Sequence, residues 1–448
     1  MIGKERALGL LNDAAGSCGG DQLELLMVAR ETGCTRYANS VVHQNTHEDI
    51  VSVYVRVLED GCVGLAKITS MDSSRLAEGI RKAREAGRRS GAENTFKTLP
   101  GPASYAEVAA FSAETDAFDH RSRTKCLKEI FSRVKSKGIE MAGAFSTGTE
   151  EIGIVNTSGV AAYQMSSFFD VSFTALTEDR SGFSGSVGVD IGEVDVGNVA
   201  ACAVEKALAG DKTVELPPGK YTVILEPKAL TELLEWTSYI AFGAKSYQDE
   251  TSFMRGKTGR QIVGDNITIY DDGLDPAGLP RAFDYEGVPK GKMDIIKEGR
   301  AAGVVYDTLY GSREGKSSTG HAVLPFSDDG PIPHNLFVEG GDLSRSEIVS
   351  STERGLLVTR FHYVNGLLEP ETAAMTGMTR DGFFLVEDGE VTDRVEDMRF
   401  TDSFLRILSN VSAISRERET VKSWWSDEGA YTVPFVRVEG MCFTGKTG

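Results

Sequence analysis

The run Leu216-Pro217-Pro218-Gly219-Lys220, set directly before the apolar stretch Tyr221-Thr-Val-Ile-Leu225, constrains this 448-residue chain more than any other feature. Adjacent prolines donate no backbone hydrogen bond and lock φ, so neither a helix nor an interior strand runs through this point. A new unit therefore begins at Gly219. A chain of this length also exceeds what one hydrophobic core supports. We expect three segments: an α+β subdomain over 1–95, a second over 105–213, and a larger β-rich domain over 219–448.

The first segment, Glu5 to Glu31, mixes helix formers with glycines at 16, 19 and 20, and strand-like alternation follows from Thr35. Val51-Ser-Val-Tyr-Val-Arg-Val57 alternates apolar with polar, and Glu59-Asp60-Gly61 turns the chain into Cys62-Val-Gly-Leu-Ala66, a hairpin. Asp72 stands where a helix cap belongs, ahead of Leu76, Ile80 and Ala83 at helical spacing to about Gly87. Ser90 to Ser104, with Pro100 and Pro102, has linker composition. Thr115 to Lys137 reads as a helix, Asn156-Thr-Ser-Gly159 as a second hairpin turn, Phe168 to Leu176 as a strand, and Val196 to Leu208 as a helix. Beyond Leu225, Lys228 to Tyr247 is helical in pattern, with Leu230, Leu233, Leu234 and Ile240 on one side. Hairpins with interleaved helices and no regular βαβ alternation predict an α+β fold, not a doubly wound sheet.

Acidic residues outnumber basic ones by 66 to 48, a formal charge of -18, which argues against a broad grip on nucleic acid or anionic lipid. The basic cluster Arg81, Lys82, Arg84, Arg88 and Arg89 reads as the solvated face of a helix. Six cysteines are scattered without a CxxC pair, and no apolar export segment follows Met1, so a cytoplasmic setting is expected. No stretch reaches the roughly 18 apolar residues of a membrane span.

Several polar groups invite chemistry. His43 and His47, followed by Glu48 and Asp49, would suit a metal on a helix, but on a strand they stand about 13 Å apart. Ser317-Ser318-Thr319-Gly320-His321 gathers hydroxyls beside an imidazole without matching an established nucleophile signature. It reads as a turn whose hydroxyls bond nearby backbone, or as a loop contacting substrate. The Trp424-Trp425 pair reads as core or interface. Asp271-Asp272, Asp284 with Glu286, and Asp328-Asp329 each lie near glycine or proline and read as turn formers with no general-acid role. No residue is assigned as catalytic or metal-binding in this chain.

A set of phrases in order gives the chain a resemblance. They are Thr35-Arg-Tyr-Ala-Asn39 with Val42-His-Gln-Asn45, Thr251-Ser-Phe253 with Gly256-Lys257 and Gly259, and Ile267-Thr-Ile-Tyr-Asp-Asp272. Asp284-Tyr-Glu-Gly-Val288, Asp294 to Gly299, Ser317 to Ala322, Gly355 to Val358 and Thr376 to Gly382 follow. Together they resemble the TldD/PmbA family, whose members also carry the name modulators of DNA gyrase.

In the TldD branch the helix after the corresponding strand bears His-Glu-x-x-x-His, two zinc ligands and a glutamate able to activate water. The resemblance sets Glu235, Trp236 and Ile240 at those three positions, and Ile240 offers no lone pair while Trp236 cannot act as a base. A cysteine ligand that the branch supplies near its C-terminus has no match in Ser423 to Val433; Cys442 comes later. The resemblance is thus to the PmbA/TldE branch, and it implies a metal-free subunit that pairs with a zinc-bearing TldD-type partner in a peptidase for small or unfolded peptides. Alternatives are a homodimeric peptide-binding or maturation factor without hydrolytic activity, and hydrolysis unaided through the Ser317 to His321 loop.

Overall fold

The computed structural model describes residues 1–16, 22–90, 98–422 and 429–446. The chain is α+β. Its N-terminal part builds one six-stranded sheet from β1 (Gln22–Ala38), β2 (Val41–Glu59), β3 (Cys62–Ile68), β4 (Glu140–Asn156), β5 (Ala161–Leu176) and β6 (Ser181–Gly188). The order is β3-β2-β1-β4-β5-β6, antiparallel throughout. Because β1 pairs with β4 from Glu24↔Asn156 to Tyr37↔Gly143, the segments before and after the Ser90 to Ser104 stretch share this sheet.

The strand β1 starts earlier than the alternation from Thr35 suggests. Leu25 and Met27 pack with Leu11, Leu76 and Ile80 of the helices Lys4–Gly16 and Ser73–Ser90 on one face. Leu26 and Val28 pack with Ala282, Phe283 and Tyr285 on the other. A strand covered on both faces is apolar without alternation, which hid it. The β1–β2 hairpin turns at Asn39 and Ser40, both at positive φ (51° and 56°), as a two-residue loop matching strand twist requires.

The helix expected over Thr115 to Lys137 is two helices, Ala113–Asp116 and His120–Lys135. Asp119 breaks the run, its carboxylate capping the second helix by accepting from Arg121 N and Ser122 N at 3.0 and 2.9 Å. That helix and Val196–Leu208 cover Phe145, Phe169 and Phe173. Of the Ser90 to Ser104 stretch, residues 91–97 lie outside the described residues, as do Cys18, Gly19 and Gly20. Leu99 is buried, its N–H bonded to Gln22 Oε1 at 3.0 Å, so this part of the linker is packed. On the helix Ser73–Ser90, Lys82 pairs with Glu78 and Arg88 with Glu59, an ion-paired outer face.

Beyond Pro217-Pro218, the strand Gly219–Leu225 lies inside the second sheet, parallel to Arg354–Glu369 and antiparallel to Ala430–Lys446. The helical stretch after it also differs from expectation. An α-helix spans Pro227–Thr237, a π-helical turn follows over Ser238–Phe242, and a short helix Ala244–Gln248 comes after Gly243. A Cβ on Gly243 would sit 2.2 Å from Pro331 O, so the break rests on a position only glycine fits. Leu230, Leu233 and Leu234 pack with Val223, Leu225, Leu356 and Val358 in the C-terminal core. No described helix is long and apolar enough to cross a membrane.

Candidate functional site

The helix Pro227–Thr237 places Glu235 and Trp236, and the π-helical turn after it Ile240, as packing residues. Glu235 and Ile240 are 4% and 5% exposed. Trp236 is pressed against Gly366, where a Cβ would meet its own Cβ at 2.7 Å, and it meets the Tyr239 ring edge-on at 6.2 Å. This donor set does not fit a zinc ion, since one carboxylate next to an indole and an isoleucine supplies no second or third ligand. Among the described residues no group of three or more His, Cys, Asp or Glu side chains is arranged to hold a metal. Cys442 lies on the strand Ala430–Lys446, its N–H bonded to Asp402 Oδ2 at 2.9 Å. The Trp424-Trp425 pair lies outside the described residues. His43 and His47 are on β2, both exposed, and His47 Nε2 stands 3.8 Å from Glu31 Oε1.

The loop Ser317 to His321 is built around backbone bonds. Ser318 Oγ donates to Tyr306 O at 3.1 Å and accepts from Gly320 N at 3.2 Å. Thr319 Oγ1 accepts from Tyr306 N at 2.8 Å. Gly320 has φ of 77°, and a Cβ there would sit 2.5 Å from Pro289 O. The imidazole turns inward. His321 Nδ1 lies 2.9 Å from Thr319 Oγ1, and Nε2 lies 2.9 Å from Asp271 Oδ1, with His321 and Asp271 both 0% exposed.

Asp271 also accepts at Oδ2 from His334 N and Asn335 N, at 2.9 and 2.8 Å. Burial would raise its carboxyl, but His321, Lys290 and these hydrogen bonds outweigh burial and hold it well below the ordinary carboxylate range. Burial, helped by Lys290, lowers the pKa of His321 against the opposing pull of Asp271. The sequence Thr319–His321–Asp271 thus has the connectivity of a nucleophile relay, but its imidazole and carboxylate are fully buried, and Ser318 takes no part in it. It is a pillar tying the loop to the strand Ile269–Asp272.

What the pillar supports is a cleft of about 470 Å³ between the two parts of the chain. Its floor is the face of the N-terminal sheet that carries Val28, Arg30, Ile50, Ser52 and Phe168. Its roof carries Arg281, Lys290, Leu324 and His334. Glu150 on the floor bridges Arg30 and Arg281, the latter at 2.8 Å. Burial works against ionisation of Glu150, but the two guanidiniums win and lower its pKa.

Behind the cleft lies a second charged group. Arg56 of β2 donates Nη1 to Glu286 Oε1 at 2.8 Å and stands 3.2 Å from Glu24 Oε1. Asp284 and Asp307 lie next to them. Asp284 is a turn former as expected, accepting at Oδ1 from Glu286 N and Val288 N, but it is also buried and accepts from Ala322 N at 2.8 Å. Asp272 accepts from Leu274 N in a turn, and Asp328 and Asp329 are exposed. Burial, with neighbouring carboxylates, pushes Glu24 up to about 8 and Asp284 and Asp307 up to about 7. Sequence reasoning missed Glu24, Arg56, Lys290 and His334, which stand singly among ordinary neighbours and meet only through pairing over long separations.

In this α+β chain an antiparallel N-terminal sheet and a mixed C-terminal sheet thus enclose a charged cleft. Models of the PmbA/TldA metallopeptidase central domain and C-terminal domain match residues 99–210 and 218–445, so the chain belongs to the PmbA/TldD family. It is 27% identical over 274 residues to an uncharacterised protein of Methanocaldococcus jannaschii, covering 60% of this chain and 62% of that one. It is 28% identical over 246 residues to the metalloprotease PmbA of Escherichia coli O157:H7, covering 54% and 51%. The chain thus spans between half and two thirds of the length of these curated relatives. The crystal structure of TldE from Thermococcus kodakarensis shares the fold at a TM-score of 0.86 and 22% identity, over 98% of this chain and 99% of that one. A Thermotoga maritima protein described as a candidate modulator of a DNA gyrase superposes at 0.84 with 20% identity, over 98% and 99%.

Proposed function

We propose that this chain is the metal-free, TldE-type subunit of a two-chain metallopeptidase, shaping the chamber in which a zinc-bearing TldD-type partner cleaves small or unfolded peptides in the cytoplasm. The observation that carries the reading is the helix Pro227–Thr237 and the turn after it. The scaffold is retained, yet Trp236 and Ile240 are committed to packing where ligand and base would stand. The cleft supports it too, since a sheet face with serines and apolar residues suits an extended peptide. The likeness to TldE over nearly the whole chain agrees with it.

Co-expression with a relative carrying His-Glu-x-x-x-His tests the reading. The expected result is a co-eluting complex that cleaves unfolded peptides, loses activity to a chelator, and exceeds either chain alone by orders of magnitude. No complex, and no cleavage beyond that of the partner, sinks it. A self-paired chain that binds peptide without cleaving it would favour the binding or maturation reading. We further expect the chain purified alone to carry far less than one zinc per molecule, unchanged by His43→Ala or His47→Ala. Stoichiometric zinc lost on either substitution would place a metal on β2 and overturn the assignment.

A further inference from the structure

Two nitrogens on the roof of the cleft have no hydrogen-bond partner among the described residues. Lys290 is 6% exposed, His334 Nε2 is buried, and neither Lys290 Nζ nor His334 Nε2 makes a hydrogen bond to the described residues. Both residues line the cleft. The carboxylates nearest in charge to Lys290 are already occupied. Asp271 serves His321, His334 N and Asn335 N, and Asp284 serves the N–H groups of Glu286, Val288 and Ala322. They balance the ammonium charge at a distance but leave its donors unmatched.

The two side chains are also held in place. Lys290 N donates to Ala282 O at 3.0 Å, and its stem lies so close to Gly273 that a Cβ there would come within 2.6 Å of it. His334 is fixed through its backbone N–H on Asp271, and its ring stands edge-on to Tyr285 at 6.4 Å. Buried polar groups without partners are rare and call for a physical account. Here both are donors or able to become donors, and both are preorganised on one wall. Arg281, the neighbouring cation, is already engaged by Glu150 and Tyr285.

We propose that Lys290 and His334 form a carboxylate-receiving subsite for the C-terminal carboxylate of a peptide lying in the cleft. The carboxylate brings two acceptor oxygens, one for the ammonium and one for the Nε2–H tautomer of the imidazole, in charge-assisted hydrogen bonds. The identity of the ligand as a peptide rests on the chamber reading above; the demand for an anionic acceptor rests on the two nitrogens alone.

The test is a binding titration of the full chain with four probes: a short unfolded peptide acid, its C-terminal amide, the amide with an internal aspartate, and inorganic phosphate. The acid is expected to bind about tenfold or more tightly than the amide. Lys290→Met should erase that difference and Lys290→Arg should restore part of it. Equal binding of acid and amide overturns the subsite while leaving the chamber reading intact, and so does a preference that survives Lys290→Met. An aspartate-containing amide that matches the acid, or phosphate that does, overturns the assignment to the peptide terminus. Failure of every peptide to bind, with or without a zinc-bearing partner, removes the chamber reading itself. The acid and amide comparison needs only the unmodified chain, so it holds even where a variant fails to fold.

Discussion

Replacing Arg56 by methionine is expected to destabilise the chain by about 3–5 kcal/mol, because it leaves buried carboxylates facing one another without their cation. Arg56 lies against Glu24 at 3.2 Å and Glu286 at 2.8 Å, with Asp284 and Asp307 adding negative charge nearby. The guanidinium joins β2 to the C-terminal segment 284–307, so denaturant unfolding should show the loss as weakened docking of the N-terminal sheet.

The same group sets a pH dependence whose sign is fixed. Glu24 moves from 4.5 to about 8 on folding, and Asp284 and Asp307 move from 3.8 to about 7. Folding takes up protons across this interval, so the stability they contribute is full below about pH 4 and is lost as pH rises through 7 to 8. The thermal transition should fall between pH 6 and pH 9, and Glu24→Gln should flatten that slope. A transition that holds level or rises over this range would show that the cluster ionises freely.

The second large effect is expected at Asp271. Asp271→Ala removes the acceptor of three buried donors, His321 Nε2, His334 N and Asn335 N. Each donor left unmatched costs about 1–3 kcal/mol, so a loss of at least ~3 kcal/mol is expected in a denaturant titration, against about 1 kcal/mol or less for Ser318→Ala. The contribution of Asp271 has the opposite pH sign to that of Glu24. Its folded carboxyl is lowered, so its stabilisation is present above the ordinary value of 3.8 and fades as pH falls through the folded one. Equal effects of Asp271→Ala and Ser318→Ala would refute the role of the pillar.

Local signals carried well where one short stretch decides the structure. Pro217-Pro218 placed the start of the strand Gly219–Leu225, Glu59-Asp60-Gly61 placed the β2–β3 turn, and Val196–Leu208 is the helix its spacing predicts. They failed where partners are distant. Leu25 to Val28 lost its alternation because Ala282 to Tyr285 covers its second face. Asp284 and Glu286 look like turn residues by their neighbours, and only Arg56, 230 positions from Glu286, reveals the buried pair. Lys290 and His334 gave no signal, because an isolated lysine or histidine in sequence carries no information about burial. That Glu235, Trp236 and Ile240 stand in for a metal motif is read from resemblance alone and belongs to the proposed function.

The placement of Ala430–Lys446 bears on synthesis. This strand is interior to its sheet, between Asn335–Val338 and Gly219–Leu225, and it also pairs with Met398–Ser403 and Val411–Val421. The N-terminal sheet is complete once residue 188 has emerged from the ribosome. The second sheet has a gap at its centre until residues 430–446 appear, more than two hundred positions after Gly219. During that interval the edges of Gly219–Leu225 and Asn335–Val338 stand open to other nascent chains, so the aggregation hazard during translation is concentrated in the second half of the polypeptide.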